Sequence, residues 1–136
     1  MSEAGHSETI LVVDDDHDVR AIMTSFLTDI GYVVHEAESG DTALALQKAL
    51  RPQLMIIDFA MPGTNGADVV KAARALQPSL PVLFVSGYAD SAALEAAMGS
   101  APFLRKPFLP AELALAVRTA LEQDQSRAGA AEGSRG

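Results

Sequence analysis

Two apolar runs that each end in carboxylate constrain this chain more than any other feature. Ile10-Leu11-Val12-Val13 stops at Asp14-Asp15-Asp16, and Leu54-Met55-Ile56-Ile57 stops at Asp58. An unbroken β-branched and aliphatic run of that length reads as a strand buried on both faces, the pattern of a parallel sheet covered by helices. Such a strand has room for charge only at its ends. If the two are parallel neighbours, their carboxyl ends bring the acids into one pocket. Crowded carboxylates cost several kcal/mol unless a cation neutralises them. A hard divalent cation with oxygen ligands, magnesium before others, is the natural occupant.

The remaining segments supply the layers that would bury those strands. A first helix carries Val19, Ile22, Met23, Phe26, Leu27 and Ile30 at three- and four-residue spacing and stops at Gly31, with Asp16 suited to its N-cap. Tyr32–Glu36 reads as a second strand. Ser39 caps a second helix bearing Leu46 and Leu50, which ends before Pro52. Leu54–Ile57 is the third strand, Met61–Gly66 is turn chemistry, and Ala67–Leu76 is a third helix. Val82–Val85 is a fourth strand that runs into Ser86-Gly87. An alanine-rich fourth helix spans about Asp90–Met98, and a short fifth strand, Phe103–Arg105, reaches Lys106-Pro107. Pro110 opens a fifth helix with Leu113, Val117, Ala120 and Leu121 on one face. Alternation of this kind predicts an α/β fold: a (βα)5 doubly wound five-stranded parallel sheet in the flavodoxin-like order 2-1-3-4-5.

Composition bounds the rest. The 136 residues, 49% hydrophobic, suffice for one core, and the net charge of −8 with ten scattered Lys and Arg argues against a nucleic-acid-binding surface. Without cysteine there is neither a disulfide nor a thiolate metal site, which fits a reducing cytoplasm. Residues 1–7 lack a secretory pattern and read as a disordered leader; residues 8–122 form the domain, and the polar, small-residue stretch 123–136 reads as a disordered tail. No apolar run is long enough to span a bilayer.

A doubly wound sheet binds its ligand at the carboxyl ends of its strands. Those ends carry Asp14, Asp15 and Asp16 on the first strand, Asp58 on the third, Ser86 on the fourth and Lys106 on the fifth. Acids for a cation, a carboxylate nucleophile, a hydroxyl and an ammonium are together the parts needed to handle a phosphoryl group.

Over Glu8–Glu122 the chain resembles the response-regulator receiver domains of two-component signalling. The resemblance rests on Ile10–Asp16, Ile57-Asp58 followed by Met61-Pro62-Gly63, Val85-Ser86-Gly87-Tyr88 and Arg105-Lys106-Pro107-Phe108, in order and each at the end of an expected strand. It implies that Asp58 accepts a phosphoryl group from a histidine kinase or histidine phosphotransfer protein. It also implies that Mg2+ is held by Asp15, Asp58 and the Ala60 carbonyl, with Asp14 beside them. Ser86 and Lys106 would take the phosphoryl oxygens, and Phe103 would be the switching aromatic. A cis Lys106–Pro107 bond would turn the ammonium toward Asp58. The expected output is a downstream protein bound on the face of the fourth helix, fifth strand and fifth helix, by a cytoplasmic monomer or weak dimer with no nucleic-acid or membrane partner. The chain would be either a stand-alone receiver or one cut from a hybrid kinase. Apolar Ala60 and bulky Tyr88, flanking the approach of water to the phosphorus, imply slow self-dephosphorylation.

Other readings compete. Asp14-Asp15-Asp16-His17-Asp18 superficially resembles the start of a haloacid-dehalogenase-type phosphatase, but no acidic pair follows the fourth strand and no cap insertion exists. A calcium loop would need glycine and glutamate where Val19 and Ser25 stand. An adaptor with a degenerate pocket would not keep Asp15, Asp58, Ser86 and Lys106 together. Singly, each residue has a structural reading: Phe103 as core, Ser86 as a turn residue, Lys106 as a solvated lysine, and His17 and His35 as surface or partly packed residues.

Overall fold

The computed structural model of the chain describes residues 8–61, 63–87, 96 and 102–135. The leader, all of the expected fourth helix but residue 96, and Tyr88 lie outside the described residues. The elements are β1 (Thr9–Val13), α1 (His17–Asp29), β2 (Val33–Ala37), α2 (Gly40–Leu50), β3 (Leu54–Asp58), β4 (Ala60–Met61), β5 (Thr64–Asn65), α3 (Gly66–Leu76), β6 (Val82–Ser86), β7 (Phe103–Arg105) and α4 (Pro110–Arg135).

Five strands form one sheet in the order β2-β1-β3-β6-β7, every neighbouring pair parallel. This is the expected order once the small β4–β5 hairpin is set aside; that hairpin pairs Ala60 with Asn65 and Met61 with Thr64 inside the stretch that reads as a loop. Side chains alternate across the sheet and both faces are covered. Leu11, Val13, Met55, Ile57, Val82 and Phe84 pack toward α2 and α3, while Ile10, Val12, Leu54, Ile56, Leu83 and Val85 pack toward α1 and α4. Phe59 and Phe84 meet edge-on, at 5.9 Å between ring centroids.

The caps follow sequence chemistry. Asp16 Oδ1 accepts from the Asp18 and Val19 amides, Ser39 Oγ from Thr42, and Asn65 Oδ1 from Ala67. At α4, Glu112 Oε1 accepts from the Leu109 amide ahead of Pro110. Arg51 closes α2 in the left-handed region at φ 47°, immediately before Pro52.

Two differences have physical causes. Ile22, placed on the apolar stripe of α1, is 62% exposed, because Met23 and Leu27 already fill the line of contact with the sheet. On α2 it is Ala43 and Gln47 that are buried; Gln47 Nε2 donates to the Ala73 carbonyl and to Gln77 Oε1, so a polar residue serves the core by joining α2 to α3. Helix α4 is continuous from Pro110 to Arg135 and so runs through residues 123–135.

Candidate functional site

The register places the site. Val13 of β1 stands beside Ile57 of β3, so Asp14 and Asp58 leave adjacent strands at the same level. On the other side of β3, Asp58 pairs with Val85, and the Phe59 amide donates to the Val85 carbonyl at 2.8 Å. The next step outward joins Ser86 to Lys106, whose amide donates to the Ser86 carbonyl at 2.9 Å. Sheet hydrogen bonding alone therefore gathers residues separated widely in sequence along one edge.

Asp14 is fully buried and Asp58 is 6% exposed, whereas Asp15 is exposed at the mouth. Lys106 bridges the two buried acids, with Nζ 3.2 Å from Asp58 Oδ2 and 3.3 Å from Asp14 Oδ2. The other Asp58 oxygen, Oδ1, accepts from the Ala60 amide at 3.1 Å. The Lys106–Pro107 bond is cis. Ser86 is fully buried, and its Oγ has no hydrogen-bond partner among the described residues. Phe103 lies on edge strand β7 and is 36% exposed, so it is not part of the core.

The electrostatics are those of one cation shared by two anions. Burial pushes the Asp58 carboxyl above the usual range, and the neighbouring Asp14 charge adds to that; Lys106 and the Ala60 amide only partly oppose them. Burial works to lower the Lys106 ammonium, but Asp14 and Asp58 together outweigh it and its pKa rises. The same contact thus favours the charged amine fully and the charged acid only in part. Counting charges explains the asymmetry, because a second anion remains uncompensated.

That surplus fits a divalent cation. Asp14, Asp15 and Asp58 each offer a carboxylate oxygen, and these atoms lie within 4.8 Å of one another. An all-oxygen donor set, with three carboxylates facing a single ammonium, suits a hard ion such as Mg2+.

Two contributors escape a reading by motif. Gly66 sits where a Cβ would come within 2.8 Å of the Asp58 carbonyl oxygen and of the Phe59 Cα, so only glycine lets α3 start this close to the end of β3. Its amide donates to the Phe59 carbonyl at 2.8 Å. The sequence signal is the glycine that closes Met61–Gly66, which by itself announces only a turn. Arg20 is the other; its contacts lie behind the acids and no strand end announces it.

A doubly covered parallel sheet with an acid, hydroxyl and ammonium set along its carboxyl edge is the class of domain the fold and site define. The chain belongs to the response regulator receiver domain family, whose model matches residues 10–118. The DNA-binding response regulator MtrA of Mycolicibacterium smegmatis is 32% identical over 120 residues, 87% of this chain and 52% of that protein. The sensor kinase CckA of Brucella abortus is 36% identical over 121 residues, 86% of this chain but 13% of that protein. Among solved structures, NtrX of Brucella abortus in complex with ADP superposes with a TM-score of 0.86 at 29% identity, covering 92% of this chain and 29% of that one. The chemotaxis protein CheY4 of Vibrio cholerae gives 0.75 at 29%, covering 84% and 98%. The chain spans about half the length of the MtrA relatives.

These relatives correct the expected partners. A charge argument for no nucleic-acid partner speaks only of this chain's own surface, and proteins similar to it are DNA-binding response regulators of nearly twice the length. The phosphatase and adaptor readings find no support in the family match. Among the described residues, no helix is long and apolar enough to cross a membrane.

Proposed function

We propose that Asp58 accepts a phosphoryl group from a phosphohistidine on a partner kinase or phosphotransfer protein, and that the chain catalyses this transfer itself. The observation that carries the reading is the Asp58 carboxylate, paired with the Lys106 ammonium that it shares with Asp14, together with a buried Ser86 hydroxyl with no partner among the described residues.

An Asp58 oxygen attacks phosphorus, the nitrogen–phosphorus bond breaks, and its electron pair returns to the imidazole, which takes a proton from solvent. Asp14, Asp15, Asp58 and the Ala60 carbonyl would hold Mg2+, which when bound offsets the charge on the phosphoryl oxygens. Lys106 moves its hydrogen bond from Asp58 Oδ2 to a phosphoryl oxygen, so the ammonium keeps an anionic partner throughout. The Ser86 hydroxyl donates to a second oxygen and gains the partner it lacks. Drawing Ser86 and Lys106 inward biases β6 and β7 toward a second arrangement, with Phe103 turning from the surface into the space that Ser86 vacates. Ala60, with no polar side chain to orient a water, supports a long-lived phosphoaspartate.

Incubation with acetyl phosphate and Mg2+ should add one phosphate by intact mass. Persistence of that label in Asp58→Asn would sink the assignment.

A further inference from the structure

Arg20 enters none of the steps above, yet its guanidinium braces the acid pocket from behind. Its side chain is 12% exposed, and both its acceptors lie on other elements. Nη1 donates to the Asp14 carbonyl at 2.8 Å, and Nε donates to Glu36 Oε1 at 3.1 Å. Glu36 stands on β2, paired with Val12 of β1. One planar fork thus ties α1, the end of β1 and β2 together, a geometry that a point charge cannot reproduce.

The group being held is the Asp14–Asp15 peptide. The Asp14 amide donates to the Ala37 carbonyl at 3.2 Å, and Asp14 Oδ1 accepts from the Asp16 amide at 2.9 Å. Arg20 fixes a further polar atom of that turn, the Asp14 carbonyl, which is the oxygen of the Asp14–Asp15 peptide. Asp15 itself is exposed, and among the described residues its carboxylate makes no hydrogen bond. Only its backbone can place it.

We infer that Arg20 is a positioning residue for the cation: by clamping the Asp14 carbonyl it aims Asp15 at the oxygen cluster, and Glu36 holds Arg20 in turn. The inference rests on the reading of Asp14, Asp15 and Asp58 as the cation site. Its sign separates it from plain electrostatics. A positive charge behind the pocket repels a divalent cation, so losing the charge alone would tighten binding. Losing the clamp would weaken it.

The test is a Mg2+ titration of the parent, Arg20→Ala and Arg20→Lys at constant ionic strength, followed by amide chemical shifts, with folding checked by circular dichroism in EDTA. Arg20→Ala should raise the Kd for Mg2+ about tenfold, the usual scale for groups that orient metal ligands. Arg20→Lys should also weaken binding, because an ammonium keeps the charge but not the fork. Labelling with acetyl phosphate should reach the parental rate at saturating Mg2+, with the half-saturating concentration raised by the same factor. A parental or tighter Kd in Arg20→Ala, or a parental Kd in Arg20→Lys, overturns the inference. If Arg20→Ala does not fold, Arg20→Lys decides. A parent with no Mg2+-dependent shifts overturns the cation site and this inference with it.

Discussion

The two sides of the pocket are built differently. On the β1 side the backbone that carries the acids is tied down: Asp14 by Ala37, Asp16 and Arg20, and Asp16 by the first turn of α1. On the β6–β7 side Ser86 Oγ has no hydrogen-bond partner among the described residues, Lys106 is 28% exposed along its side chain, and β7 is a three-residue edge strand. The fixed side suits a task that needs ready-made geometry, the holding of a cation. The loose side suits a task that needs change, the reporting of a new anion. A site can thus be preorganised for catalysis and compliant for signalling at once, provided the functions occupy opposite neighbours of the same strand.

The contrast between the two sides should break most visibly at Lys106. Lys106→Met leaves Asp14 and Asp58 facing each other without a counter-charge, and should cost roughly 1–3 kcal/mol in EDTA, much of it restored by millimolar Mg2+. Phosphoryl acceptance should fall about a hundredfold, in keeping with the loss of one charge-stabilising donor. Paired thermal melts with and without Mg2+ check the first part; an equal loss in both would show that Lys106 acts by packing rather than by charge.

Gly66→Ala tests the rigid support beneath Asp58. The new methyl meets backbone, which cannot rotate away, so about 1–3 kcal/mol should be lost with a slower rate of phosphorylation. A parental melting temperature would show that the start of α3 can retreat freely.

Asp58→Asn should act in the opposite direction. Its raised pKa means that the folded chain penalises the ionised form; the penalty is absent below the unfolded value of 3.8, builds as pH rises through the folded value, and is complete above it. Asp58→Asn should therefore melt higher than the parent at neutral pH without Mg2+, with the advantage closing as pH falls through the carboxylate range. A pH-independent difference would contradict this.

Ser86→Ala should alter the fold least. Removing a buried hydroxyl without a partner costs the resting state almost nothing, within about 0.5 kcal/mol. The phosphorylated form should lose much more, so amide shifts on β7 that follow phosphorylation in the parent should shrink in the variant. Equal shifts in both would place the reporting element elsewhere.

What can be read from sequence divides along a physical line. Asp14, Asp58, Ser86 and Lys106 are legible because strand ends in a parallel sheet converge, and an acid or ammonium after an apolar run has few other reasons to be there. Gln47 and Ile22 are not legible, since helical periodicity gives a face but not which member of it touches a neighbour. Arg20 looks like any solvated residue of a first turn; its importance lies in a carbonyl, and carbonyls carry no sequence identity. The hairpin at Ala60–Asn65 is hidden because two-residue strands leave no periodic trace.

Strand β3 is the middle member of the sheet, every residue of it buried and the strand paired with a neighbour on each side. Asp58, the proposed phosphoryl acceptor, is therefore mounted on the part of the molecule with least freedom to move. That gives the protein a stationary datum: displacement of its surroundings is measured against something that does not drift. In hydrogen-exchange terms, β3 amides should open only with global unfolding and keep the same protection before and after phosphorylation. Those of edge strand β7 should carry the difference.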